Sequence, residues 1–227
     1  MRLEVFPWHG DDFVSLSADG LGVGTVEDEV RSLFEGFATR LDRLGLGLHD
    51  VVRTRMFTRD MDAWLRANQE RRRILDDQAR SVSSSHIWAD RLGDRARVSI
   101  DLLALFPSAG GRVARVRREY DPPQFPLRSM TVGPWVFLSG VTDMTHATLD
   151  DQFPTIMSRT AVSLQDAGVG WQDVVKVSFL LHHDENVAVL RERFRAAVPH
   201  VIAALDWSFV GSRQGKRLEV EVTARRA

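Results

Sequence analysis

Residues 41–52, LDRLGLGLHDVV, and residues 164–175, LQDAGVGWQDVV, decide the fold. They align without a gap at an offset of 123. Leu41 falls on Leu164, Gly45 on Gly168, Gly47 on Gly170, and Asp50, Val51 and Val52 on Asp173, Val174 and Val175. A chain that repeats itself must be read as repeats before any motif is weighed. Immediately downstream, RTRMFTRDMDAWLRANQERR (53–72) faces KVSFLLHHDENVAVLRERFR (176–195), a short strand and then an amphipathic stretch in each case. Near the ends RVSIDLLA (97–104) faces RLEVEVTA (217–224) at an offset of 120, so a three-residue difference lies in the loops.

Working outward, each half follows the plan ββαβαββ. An opening hairpin is expected from Leu3–Phe6 with Phe13–Ser17, and from Leu127–Val132 with Trp135–Ser139, where Gly133-Pro134 supplies the turn. A helix follows. Thr25 with Asp28, and Thr148 with Asp151, have capping-box spacing, and Val26, Val30, Leu33, Phe37 and Leu41 recur at helical period, as do Phe153, Ile156, Met157, Thr160 and Leu164. Pro154 is tolerable if it falls in the first turn, and Gly45 and Gly168 sit where a helix C-terminal glycine belongs. Strands Val51–Phe57 and Val174–Leu181 lead to second helices at 61–75 and 184–198. Strands 81–88 with 97–105, and 204–210 with 217–223, complete the halves. The fold class is therefore α+β: two tandem domains, each a mainly antiparallel sheet covered on one face by two helices. The domains are 1–106 and 124–227, and 107–123 reads as a linker in which Val113–Arg117 could add an edge strand.

Composition narrows the chemistry. With no cysteine among 227 residues there is no disulfide, thiolate zinc site, iron–sulfur cluster or cysteine nucleophile. Thirty Lys and Arg against 31 Asp and Glu give a net charge of −1, which supplies no field for nucleic acid or anionic lipid. Arg71-Arg72-Arg73 reads as a solvated helix face beside Glu70, Asp76 and Asp77. No apolar run reaches the ~20 residues of a membrane span, and a cytoplasmic location is expected. Gly20-x-Gly22-x-Gly24 lacks dinucleotide-fingerprint spacing and reads as a flexible loop; no cofactor is expected.

The residues resemble the RidA/YjgF superfamily of enamine/imine deaminases, trimers whose architecture is similar to that of the barrel-type chorismate mutases. The resemblance rests on Val136-Phe-Leu-Ser-Gly140, Asp173-Val-Val-Lys-Val177 and Leu218-Glu-Val-Glu-Val222 in the second half, and on Gly45–Met56 and Gln78-Ala-Arg-Ser81 in the first. It implies a homotrimer, a small cleft at each domain interface, an arginine that anchors a substrate carboxylate and a glutamate on the closing strand that handles water or a proton. The chemistry is sound: a planar guanidinium holds a carboxylate by two charge-assisted bonds, and a cleft carboxylate can be tuned for proton transfer. Carried over, the arginine is Arg80, with no counterpart in Pro199-His200-Val201. The glutamate is Glu219, whose first-half counterpart is Ser99; Asp101 matches Glu221. Like-with-like rings of three, expected because they preserve the ancestral contacts, leave Arg80 with Asp101, and Glu219 with Arg213 or Arg217; rings that mix the halves reunite Arg80 with Glu219.

Each residue also has a plainer reading. Arg80 is either the anchor or an exposed arginine at a strand start. Glu219 alternates with Leu218 and Val220, so it faces either a cleft or solvent. Ser139 and Gly140 resemble backbone donors to substrate, or end a strand. His86 and Trp88 share a strand face, with Trp207 at nearly the same place in the second half; they line a pocket for a flat substrate or fill a core. Adjacent strand residues point to opposite faces, so His182 and His183 do not readily share a metal, and Asp184 reads as the second helix cap; no metal is expected. The functions left open are an imine or enamine hydrolase or tautomerase acting on a carboxylate-bearing metabolite, a chorismatase-like lyase or hydrolase, and a non-catalytic binding or scaffold protein.

Overall fold

Turn chemistry and alternating apolar residues build the first sheet. The structure, a computed structural model, describes residues 1–106, 114–211 and 215–226, with the backbone alone at Asp77. Its chain divides into two units, Met1–Val113 and Ala114–Ala227. In the first, β1 (Arg2–Trp8) and β2 (Asp11–Asp19) form an antiparallel hairpin, turned at His9 and Gly10, both with positive φ. Helix α1 (Val26–Asp42) starts at the expected capping box: Asp28 N donates to Thr25 Oγ1 and Thr25 N to Asp28 Oδ2. It ends ahead of Gly45, at φ 72°, a conformation that costs glycine little. Then come β3 (Val51–Thr58), α2 (Met61–Ile74, capped by Asp60), β4 (Val82–Ile87) and β5 (Val98–Leu105). The sheet order is β1-β2-β5-β3-β4; β3–β4 is parallel and the other pairs antiparallel.

The second unit repeats this plan with additions. Its strands are β6 (Arg115–Arg118), β7 (Ser129–Val132), β8 (Trp135–Leu138), β9 (Val141–Thr142), β10 (Val174–His182), β11 (Ala204–Val210) and β12 (Leu218–Arg225); its helices are α3 (Leu149–Asp166) and α4 (Val187–Ala197). The order is β11-β10-β12-β8-β7-β6, with β9 also on β12 and β10–β11 parallel. Strand β6 lies inside the stretch read as linker and extends the sheet edge beside β7; Val113 is outside the described residues. Pro154 sits in the second turn of α3 rather than the first, and the helix runs through it.

Register makes the repeat quantitative. In both units the closing strand pairs antiparallel with the strand after the first helix, and both ladders slip at one point, between Val51 and Arg53 and between Val174 and Lys176. Beyond it Arg53 pairs with Leu103 and Lys176 with Thr223, Phe57 with Ser99 and Leu180 with Glu219. Ser99 is thus the counterpart of Glu219, and Asp101 of Glu221.

Helices cover one face of each sheet. In the second unit Phe153, Ile156 and Leu164 of α3 and Leu190 and Phe194 of α4 pack on Val177, Phe179 and Leu181 of β10 and on Val220 and Val222 of β12. Phe179 meets Phe194 edge-on at 5.3 Å, and truncating either ring costs about 3–5 kcal/mol. Alternation then sends Glu219 and Glu221 to the opposite face. Arg71 departs from the solvated-face reading: it is buried and donates to Ser84 O and Asn68 Oδ1, while Arg73 pairs with the equally buried Glu70. The cap of α4 is Asn186, whose Oδ1 accepts from Ala188 N and Val189 N; Asp184 is therefore not the cap.

Candidate functional site

The two units differ most where the second strand passes the closing strand. In the first, β2 runs unbroken, with Ser15 opposite Leu103, Ser17 opposite Asp101 and Asp19 opposite Ser99. In the second, Phe137 lies opposite Thr223 and Thr142 opposite Glu219. One extra residue must fit between, so Ser139 and Gly140 together oppose Glu221. This is a β-bulge, a device that re-aims side chains and is common beside active sites. A Cβ built on Gly140 would overlap the Glu219 carboxylate, so glycine is what lets the bulge close on it.

Glu219 is buried, and Lys216, equally buried, reaches it at 2.5 Å from Nζ to Oε2. Tyr120, the one tyrosine of the chain, is held above its ordinary value by burial and by the negative charge of Glu219, against the pull of Arg128. It stays a neutral phenol able to donate a hydrogen bond. The Ser139 N–H donates to Arg128 O at 3.3 Å and so is engaged within the protein. The second-unit site is thus Glu219, Lys216, Tyr120 and the bulge. Lys216 was not legible as its member, because it precedes the strand and no motif marks it; Tyr120 fell in the stretch read as linker. Arg217 takes another direction: its Nε donates to Ala147 O, and its guanidinium lies 3.7 Å from Asp184 and from Glu185. Arg213 is outside the described residues.

In the first unit the acid is engaged as well. Arg91 donates to both oxygens of Asp101, at 2.7 and 2.6 Å, and its guanidinium lies 4.0 Å above the Phe57 ring. His86 and Trp88 flank the same ring, at 5.5 and 6.4 Å. Sequence reasoning placed His86, Trp88 and Asp101 here but missed Arg91, which follows the strand in a short 3-10 turn. Arg80 lies two residues before β4. Because His86 is level with Phe57 and Ser99 across the sheet, six residues separate Arg80 from the level of Ser99, roughly 20 Å at the rise of a strand. The second-unit counterpart of Arg80 is Ile202, two residues before Ala204, which matches Val82. That displaces Pro199-His200-Val201 as its match.

Trp207 is not in this company. It pairs with Phe179 on the helix-covered side, 5.4 Å beneath the Arg191 guanidinium, and its first-unit counterpart is Ser85. The Gly20–Gly24 loop is tied down rather than loose: Gly20 N donates to Val98 O, and Arg97 reaches both Gly24 O and the buried Glu29. The reading of His182 and His183 as opposed also fails. Strand β10 ends at His182, His183 lies in a turn, and the rings stack at 4.3 Å. Burial, together with the charge of His183, lowers the pKa of His182.

No family model matches the sequence, and no curated protein does. Solved structures do. A chorismatase is 17% identical, covering 97% of this chain and 79% of its own, with a TM-score of 0.66. A YjgF/YER057c/UK114 family member from Mycobacterium tuberculosis is 19% identical over 49% of this chain and 99% of its own, with a TM-score of 0.43. The Rid-family protein YyfA from Yersinia pestis is 17% identical over 49% and 99%, with a TM-score of 0.46. Over nearly its whole length the chain has the fold of a chorismatase, and its two units repeat one plan. At these identities it is the fold that is shared.

Among the described residues, no helix is long and apolar enough to cross a membrane.

Proposed function

We propose that the protein is an enzyme acting on a small carboxylate-bearing metabolite, hydrolysing or tautomerising an enamine or imine, with Glu219 as the proton-transfer group. The observation that carries this is the buried Glu219 carboxylate, held by Lys216 against a glycine bulge that leaves no room for another side chain. In the hydrolysis Glu219 takes a proton from water as the oxygen adds to the C=N carbon. Glu219 returns that proton to the nitrogen to give the carbinolamine, then relays the carbinolamine hydroxyl proton to the same nitrogen as the C–N bond breaks, so that ammonia and a carbonyl compound leave and the carboxylate is restored. The Gly140 backbone and the neutral Tyr120 phenol are the donors that orient the substrate. Arg80 serves the first-unit cleft in a homotrimer of like-with-like rings, where it anchors a carboxylate in company with Asp101. Asp101 and Trp88 belong to the corresponding surface of the first unit. No metal, nucleic acid or cofactor enters this reading, and the protein is cytoplasmic.

A second reading is a chorismatase-like lyase or hydrolase. The whole-chain likeness to a chorismatase supports it.

Purified protein is assayed for ammonia release from 2-imino acids generated in situ and, in parallel, for turnover of chorismate; light scattering measures the mass. The proposal expects ammonia release abolished by Glu219→Gln and a mass three times 25.6 kDa. Turnover of chorismate alone selects the second reading, and tight carboxylate binding without turnover replaces both with a binding protein.

A further inference from the structure

We propose that His182, His183 and Asp184 bind a divalent first-row transition-metal ion, Zn²⁺ foremost. Their ligand atoms all lie within 4.8 Å of one another. His182 Nδ1 is 3.3 Å from Asp184 Oδ2, and His183 Nε2 is 3.2 Å from Asp184 Oδ1. Zinc–nitrogen and zinc–oxygen bonds of about 2.0–2.2 Å set a tetrahedral edge of roughly 3.3 Å, so each imidazole already stands at edge distance from one of the two Asp184 oxygens. Two imidazoles and a carboxylate suit a borderline ion and leave a fourth position for water.

The repeat supplies an independent reason to treat the cluster as more than a solvated turn. In the first unit one residue, Arg59, separates the last residue of β3 from the helix cap Asp60, and it ties down the following loop through Ala96 O and Gly93 O. In the second unit the matching interval, from Leu181 to the cap Asn186, holds four residues, His182 to Glu185. The inserted residues are not required by the fold, since the first unit closes the same connection without them. Nor is Asp184 occupied in capping. His182 N and His183 N bond to Arg217 O and Val210 O, which fixes the backbone that presents the rings.

A positive charge already stands beside these acceptors. Arg217 Nη1 is 3.5 Å from His182 Nδ1 and 3.7 Å from Asp184 Oδ2. It competes with a metal ion for these acceptors, while its Nε lies 3.7 Å from Glu185 and donates to Ala147 O at 3.3 Å.

Calorimetric titration of ZnCl₂ into EDTA-stripped full-length protein at pH 7.5 tests this, with melting curves to confirm that each variant is folded. One Zn²⁺ per chain is expected. The double variant His183→Ala with Asp184→Asn, both exposed, weakens binding at least tenfold, and Arg217→Gln tightens it severalfold. His146→Ala, at a separate histidine–aspartate contact, 2.5 Å from His146 Nδ1 to Asp143 Oδ2, leaves binding unchanged. No heat at 100 µM Zn²⁺, equal binding by the double variant, or loss of binding in His146→Ala overturns the proposal.

Discussion

The first unit threads β2 straight past its closing strand, whereas the second breaks the same strand at Ser139-Gly140 to bring a backbone against Glu219. Both units satisfy the same helix-on-sheet packing, so the bulge is not a demand of the core. The difference teaches that duplication has let one copy specialise the face turned away from its helices while the other meets the same positions with serine, aspartate and arginine. Both keep an acid–base contact on that face, but in different solvents. Lys216–Glu219 has side chains 3% and 6% exposed, against 31% and 27% for Arg91–Asp101.

The sharpest way to break this comparison is to remove each acid in turn. Glu219→Gln should lower turnover by about 10²–10⁴, the usual contribution of a positioned proton-transfer group, while Asp101→Asn keeps it within a few-fold. Equal losses, read as kcat/KM on whichever substrate is turned over, would place the chemistry in both units or in neither.

The ion pairs come next in size. Removing one partner of a buried pair is far costlier than removing one from a pair wetted by solvent. Lys216→Met should destabilise the protein by about 3 kcal/mol in denaturant unfolding, and Arg91→Met by about 1 kcal/mol or less. Restored stability in Lys216→Met with Glu219→Leu would show that the cost is the stranded carboxylate rather than lost packing.

Much of this was legible in the sequence. The repeat LDRLGLGLHDVV/LQDAGVGWQDVV located both first helices and both central strands, because glycine caps and period-3.6 apolar stripes are local signals. The matching of Ser99 to Glu219 and Asp101 to Glu221 was legible too, as an offset that had slipped to 120, and the ladders align the same residues. What the sequence left out are partnerships between segments. Arg91 finds Asp101 from a turn, Lys216 finds Glu219 from a loop, and Trp207 lies on the helix-covered side of its own sheet because its register is set by Phe179. The three residues beyond His182 were hidden in one net offset that also absorbs a shorter α4, 11 residues against 14 in α2, and the extra residue at Gly140 lies upstream of the stretch that aligns.

Glycine substitution sharpens the contrast between the bulges and loops of the two units. Gly140→Ala pushes a methyl into the Glu219 carboxylate, and Gly20→Ala pushes one into the Glu29 carboxylate that receives Arg97. Overpacking of this kind costs about 1–3 kcal/mol, so both variants should melt at lower temperature. Gly140→Ala alone should also lose turnover. If Gly20→Ala loses it equally at a temperature where both are folded, the two loops contribute alike and the specialisation of the second unit is wrong.

The smallest effect concerns the residue just past the bulge. Asp143, whose place in the first unit is taken by Gly20, has a fully buried side chain that accepts from Thr145 N at 2.9 Å, Thr145 Oγ1 at 2.6 Å and His146 Nδ1 at 2.5 Å. Burial pushes its carboxyl upward, but the bonds from Thr145 and His146 outweigh that and hold it at about 2, below its ordinary 3.8. A carboxyl depressed on folding adds stability above its unfolded value, and that stability drains away as pH falls through the folded one. The window is therefore pH 4 down to about 2, and the amount is on the order of 2 kcal/mol. Urea unfolding at pH 4, 3 and 2 should show the native protein losing more stability across this range than Asp143→Asn, which starts lower at pH 7 because an amide accepts these bonds less well. Parallel pH curves for the two would mean that the Asp143 turn carries no charge-linked stability, and that the first unit gives up nothing by having Gly20 there.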